Sequence, residues 1–236
     1  MKPLDMGPSL TERVYNAILG EILDGVLAPG EHLVQEQLAA DLGVSRQPIQ
    51  QAMALLKADG LVEETGKRGL TVARLDLTRM RHHYEIRAVL DGYGARTAAA
   101  AVKTGMIAVR EFEARAQTIL AAGASAVARG TVRDQIRHDE ALHKLIYEFS
   151  SNPVLTETAA PNWRFLRRAM ADVLRHAEPP QTIWDQHRAI IDAILSGDQE
   201  AAETLAKEHV RVAANLLSEA LEEHASRAAA PSVAAV

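Results

Sequence analysis

The chain of 236 residues contains no cysteine, which excludes a disulfide framework and every thiolate metal site. Aromatic residues make up only 4% of it. With few β-favouring side chains and abundant alanine, helices are favoured over a β-sandwich. No apolar run approaches the ~20 residues needed to span a bilayer. The first residues show no leader-like apolar stretch after Lys2. These absences point to a cytoplasmic, bacterial protein with no membrane partner. What is present is an apolar share of 47%, enough for a buried core, in a chain long enough for two modest domains.

The most informative stretch runs from Ala39 to Met53. It reads as two short helices joined by a tight turn at Gly43, a shape that fits a DNA major groove. Ser45 is placed to cap the second helix, and Pro48 is tolerated in its first turn. Ile49, Ala52, Met53 and Leu56 recur at helical spacing, so that face packs inward. Arg46, Gln47, Gln50 and Gln51 are left on the start and outer face, and these are residue types that bind phosphates and base edges.

The formal net charge of −5 argues at first against nucleic acid. Residues 1–76 hold 7 basic and 11 acidic side chains, so the proposed reading head is itself acidic. Distribution matters more than the sum. Between Leu42 and Ala58 the only charges are Arg46 and Lys57, and Lys67, Arg68 and Arg74 follow. A basic contact surface on an acidic body implies weak non-specific binding and a shallow salt dependence.

An amphipathic helix is expected from Ser9 to about Val26, opened by a Ser9/Glu12 capping box. Helices over Gln35–Leu42 and Arg46–Ala58 follow. Leu61–Glu64 and Leu70–Ala73 read as two strands around a basic tip, Gly66–Gly69, whose Lys67 and Arg68 would reach a phosphate or the minor groove. Residues 1–76 thus form a winged helix-turn-helix. Residues 77–227 show no strand pattern. Helical periods cover 78–103, 105–128, 132–149, 153–176, 181–195 and 199–227, an all-helical bundle of about six helices. Residues 228–236 are a small-residue tail expected to be disordered. The fold class is mostly α.

Several segments together carry a family resemblance. Leu27–Leu33, Leu38-Ala39, Leu42–Arg46 and Asp59–Val62 resemble the GntR family of bacterial regulators. Tyr84–Arg87, Asp139 with His143, Ser151–Pro153, His187, Gly197-Asp198 and His209 resemble its FadR-type branch, which carries an FCD ligand-binding domain. The resemblance covers residues 9 to 222. It implies a homodimer on a palindromic operator, controlled by a small effector. One departure stands out: the family usually has arginine then glutamate where this chain has Gln50-Gln51. Arginine suits guanine and glutamine suits adenine, so the operator of relatives does not carry over.

In the second domain, Asp139 and His143 are four residues apart and share a helix face. His187 and His209 lie 10 residues before and 12 after Gly197. That is roughly 15 and 18 Å along two helices, so antiparallel packing would bring both imidazoles to one level. The result would be a cup of three histidines and one carboxylate suited to zinc foremost, or to nickel or another late first-row ion. On spacing alone, a surface Asp–His pair and incidental histidines remain the competing account. The resemblance assigns all four positions to a metal that helps hold the effector. It also places Arg87 in the effector cavity, where a guanidinium facing a metal would clamp a carboxylate; the plainer alternative is a salt bridge to Asp91. Arg164, Arg167 and Arg168 read as a solvated or interface cluster before an anion site, and Trp163 and Trp184 as packing residues. The expected function is an effector-responsive DNA-binding regulator, a repressor, and not an enzyme. The alternatives are a metal-dependent hydrolase, which lacks an assignable base and oxyanion site, and a DNA-binding protein with a vestigial sensor.

Overall fold

A computed structural model of the chain describes residues 7–66, 69–175 and 182–229. The chain divides into two compact units between Leu75 and Asp76. The described residues are mostly helical, with one two-stranded sheet.

In the first unit, α1 (Leu10–Asp24) opens on the Ser9/Glu12 capping box, in which each residue's side chain accepts from the other's backbone N–H. Val14, Ile18 and Ile22 on its inner face are buried. The helix packs on α3 (Arg46–Ala58), whose Ile49, Ala52, Met53 and Leu56 are the inward stripe expected from their spacing. Between them, α2 (Gln35–Asp41) ends in a turn at Gly43, where φ is +63° and a β-carbon would be strained. Ser45 holds the N-cap position of α3 in extended backbone. Its side chain makes no capping hydrogen bond, which corrects the capping role expected from the sequence.

Strands β1 (Val62–Thr65) and β2 (Gly69–Val72) pair antiparallel, with Val62 opposite Val72 and Thr65 opposite Gly69. The segment 30–33 runs along the other edge of β2 through Leu33 N–H to Leu70 O at 2.7 Å and Gly30 N–H to Val72 O at 2.8 Å. That edge is therefore covered. Lys67 and Arg68, expected at the tip, lie outside the described residues.

In the second unit, Asp76 caps α4 (Leu77–Lys103) by accepting from the N–H groups of Thr78 and Arg79. Then follow α5 (Val109–Arg129), α6 (Val132–Glu148), α7 (Pro153–Leu174), α8 (Thr182–Leu195) and α9 (Gln199–Ala229). Helix α5 starts four residues later than its periodicity suggests, because Gly105 takes a positive φ and closes α4. Of the tail expected over 228–236, residues 228 and 229 belong to α9, and 230–236 lie outside the described residues.

Helix α4 packs most extensively on α9. Ala95, Ala98 and Ala99 face Ala202 and Ala206 in the same core cluster, and such small side chains let helix axes approach closely. Phe112, Leu120, Leu142, Leu145, Ile190 and Ile194 fill the space between α5, α6 and α8, each burial contributing about 1.5–3 kcal/mol.

Gly123 on α5 marks a tight approach: a β-carbon there would lie 1.8 Å from the buried Trp184 ring. Gly123→Ala is expected to destabilise the protein by about 1–3 kcal/mol through overpacking, read as a lower midpoint in denaturant unfolding. An unchanged midpoint would contradict this packing.

Candidate functional site

The outer surface of α3 presents Arg46, Gln47, Gln50 and Gln51, all exposed. Their surroundings differ. Arg46 pairs with Glu36 across the turn, with both side chains more than two-thirds exposed. An ion pair that open contributes little, so a phosphate can replace the carboxylate as partner. Gln51 Oε1 accepts from Thr11 Oγ1 at 2.6 Å, which ties it to α1. Gln47 and Gln50 make no side-chain hydrogen bond among the described residues and face outward near the helix start, the part of a recognition helix that meets base edges.

In the helical unit, Asp139 and His143 on α6, His187 on α8 and His209 on α9 converge. One donor atom from each lies within 4.8 Å of all the others, and all four residues are buried. The turn at Ser196–Asp198 sends α9 back along α8, which brings His187 Nε2 to 3.1 Å from His209 Nε2. The same nitrogen lies 3.3 Å from His143 Nε2 and 3.2 Å from Asp139 Oδ1. Donors around one first-row ion, bonded at about 2.0–2.2 Å, sit about 3 Å apart, so the spacing fits.

The protonation pattern fits as well. His143 Nδ1 lies 3.0 Å from Asp91 Oδ2, an atom that only accepts, so this nitrogen carries the proton. His209 Nδ1 likewise faces Gln186 Oε1 at 3.0 Å. The Nε2 atoms of both rings therefore point at His187 Nε2. Such an electron-rich hole suits a cation. Burial lowers the pKa of His187 despite the opposing pull of Asp139. Burial also holds His209 well below the ordinary range, reinforced by the two neighbouring imidazoles. Asp139 is held well below the usual carboxylate range: burial pushes it up, but the His187 hydrogen bond and the Arg87 charge outweigh that. Neutral imidazoles and an ionised carboxylate are the forms that bind metal.

Comparison with known proteins decides the family. Residues 82–212 match the FCD domain, and residues 10–72 match the bacterial regulatory proteins of the gntR family. The chain belongs to the GntR family. Among curated relatives, the HTH-type transcriptional repressor RspR of Escherichia coli is 23% identical over 202 residues, 86% of each chain. The uncharacterized HTH-type transcriptional regulator YdhC of Bacillus subtilis is 29% identical over 204 residues, 83% of this chain and 84% of that one. Among solved structures, E. coli McbR/YncC superimposes with a TM-score of 0.76 at 20% identity, over 90% of this chain and 99% of that chain, and shares the fold. This GntR-family protein is thus a DNA-binding transcriptional regulator with an FCD domain, and its relatives are regulators rather than enzymes. Among the described residues, no helix is long and apolar enough to cross a membrane.

In this regulator Arg87 is buried, and the salt bridge to Asp91 that the sequence offered as the plainer alternative is present, together with a contact to Asp139. Its Nε donates to Asp91 Oδ2 at 3.2 Å and its Nη2 to Asp139 Oδ2 at 3.4 Å. The guanidinium carbon lies 4.2 Å from the centroid of a Trp163 ring. Arg87, Asp139 and His209 also line a cavity of about 320 Å³. Asp91 therefore holds both Arg87 and His143, while Tyr147 Oη donates to its other oxygen. Sequence reading gave Asp91 no place beside the histidines, and Gln186 none at all. The only available signal was Asp91's position one turn after Arg87.

The arginines of α7 are not a solvated cluster. Arg168 is buried against Asp172 at 2.9 Å, and Arg167 pairs with Glu140 of α6. Trp163 and Trp184 are buried as packing residues, and Trp184 also forms part of the cavity wall.

Asp91→Ala leaves Arg87 and the His143 Nδ1–H without their shared partner. A loss of about 3–5 kcal/mol in unfolding free energy is expected, since breaking a buried ion pair strands a charge. A loss under about 1 kcal/mol, the value of an exposed pair, would show that Arg87 is adequately held by Asp139 alone.

Proposed function

We propose that this regulator is a repressor that binds a palindromic operator as a homodimer. Its hold on DNA would change when a small carboxylate-bearing effector enters the cavity beside a divalent metal ion. Asp139, His143, His187 and His209 would hold that ion, zinc foremost and nickel or another first-row ion next. The observation that carries the reading is a shared wall: Asp139 and His209 of the metal-competent cluster and Arg87 border the same cavity. A bound ion supplies positive charge that attracts a carboxylate. Arg87 supplies the second, directional grip, and Asp91 and Gln186 orient the imidazoles.

On the DNA side, Arg46 would contact phosphate or guanine once released from Glu36, and Lys67 and Arg68 would serve the wing. Gln47 and Gln50 would read base edges. Ser45 would approach the backbone through its hydroxyl, which no capping bond occupies. Gln51, tied to Thr11, would position the helix more than it reads. Support for repression comes from the relative named a repressor. The vestigial-sensor alternative needs the four ligand side chains to lie apart, whereas their donor atoms sit within 4.8 Å of one another.

Three measurements follow. Arg46→Ala is expected to weaken specific operator binding about 5- to 150-fold, the value of one good base or phosphate contact, with unchanged binding counting against its role. Gln50→Arg is expected to move base preference from adenine towards guanine in selection from random DNA; uniform weakening on all sequences would make it a positioning residue. His187→Ala combined with His209→Ala should remove the metal from natively purified protein by elemental analysis, with the circular dichroism spectrum retained. Full retention of metal would refute the ligand set.

A further inference from the structure

The cavity is chemically divided, and the division constrains what fills it. One end carries Arg87, Asp139 and His209. The rest is walled chiefly by Met170, Val173, Leu174, Ile183, Leu216 and Leu217. At about 320 Å³ the space lies at the small end of ligand pockets. Two buried polar atoms on the lining, Tyr84 Oη and Gln135 Oε1, have no hydrogen-bond partner. The Tyr84 hydroxyl feels the Arg87 charge but makes no hydrogen bond of ordinary geometry with it. Buried polar atoms left unsatisfied in this way are costly unless something enters to meet them.

Charge sets a second limit. Arg87 is the one Lys or Arg side chain among the described lining residues, and the exposed Glu219 is also part of the wall. With a divalent ion bound by neutral imidazoles, one guanidinium and two carboxylates leave the buried set with one net positive charge. A single carboxylate neutralises it. A second carboxylate on the same molecule would find apolar walls and Glu219.

From this we infer that the effector is an amphipathic monocarboxylate. Its acid group lies at the Arg87 end, a compact aliphatic or aromatic body lies against the α7 and α9 side chains, and a hydrogen-bond donor near the acid meets Gln135. Sugar acids and di- or tricarboxylates are disfavoured, because their further polar groups would be buried without partners. The inference rests on the carboxylate-effector reading above and narrows it.

The test is calorimetric titration of the full-length, metal-loaded protein with acetate, butanoate, hexanoate and 3-phenylpropanoate, alongside succinate and gluconate, with metal content measured separately. Affinity is expected to rise about two- to fourfold per methylene from acetate to hexanoate, the increment for burying one CH₂. 3-Phenylpropanoate should bind at least tenfold more tightly than succinate or gluconate. Val173→Thr, nearly identical in shape, should weaken hexanoate binding more than acetate binding. A flat ladder in the unmodified protein, succinate or gluconate matching 3-phenylpropanoate, or no binding by any acid would each overturn the inference. If the ladder rises in protein that holds no metal, the amphipathic monocarboxylate stands on the apolar lining, and the metal anchor fails together with the charge count built on it. If metal is bound and gluconate wins, the anchor stands and the inference fails.

Discussion

One buried guanidinium organises the helical unit of this protein. Arg87 sits on α4 with water excluded, braced against Trp163 and shared by Asp91 and Asp139. A charge so placed is tolerable only because its partners are fixed, and fixing them locks α4 to α6. The same two carboxylates then reach the histidines, Asp91 through His143 Nδ1 and Asp139 through His187 Nε2. Disturbing Arg87 would therefore disturb the imidazoles on three helices. Its odd charge balance, one cation against two anions, also makes the neighbourhood receptive to a further positive ion.

The DNA-binding unit is built on the opposite principle. Its core is apolar, with Ile18, Ile49, Leu56 and Leu61 essentially inaccessible, and its functional side chains stand in water. Arg46 is held only by an exposed ion pair, and Gln50 by nothing among the described residues. Groups that must exchange partners with DNA cannot be tightly committed beforehand. An acidic body carrying a few basic side chains is the charge distribution expected to keep non-specific affinity low.

These two designs suit a regulator whose parts have different duties. The buried donors of the helical unit are preorganised, the condition under which groups discriminate between ligands. The reading head needs side chains that can adapt at a wet interface. Any coupling between the two units is bounded by a ligand's difference in affinity for two arrangements of the protein.

Sequence alone settled what depends on neighbours three or four residues away. The Ser9/Glu12 capping box, the turn at Gly43, the buried stripe Ile49–Ala52–Met53–Leu56 and the shared face of Asp139 and His143 all follow from helical period and local hydrogen bonding. Such features are nearly independent of the rest of the chain. The tertiary structure decided which distant groups meet: Asp91 with His143, Gln186 with His209, Gln51 with Thr11, and Arg168 inside rather than outside. It also showed Ser45 at its expected N-cap position without the expected bond, since a position fixes the backbone and not the hydroxyl's choice of partner. Contacts between residues 23 to 52 apart depend on how whole helices pack, and packing reports the volume and charge of every residue at once rather than the spacing of a few.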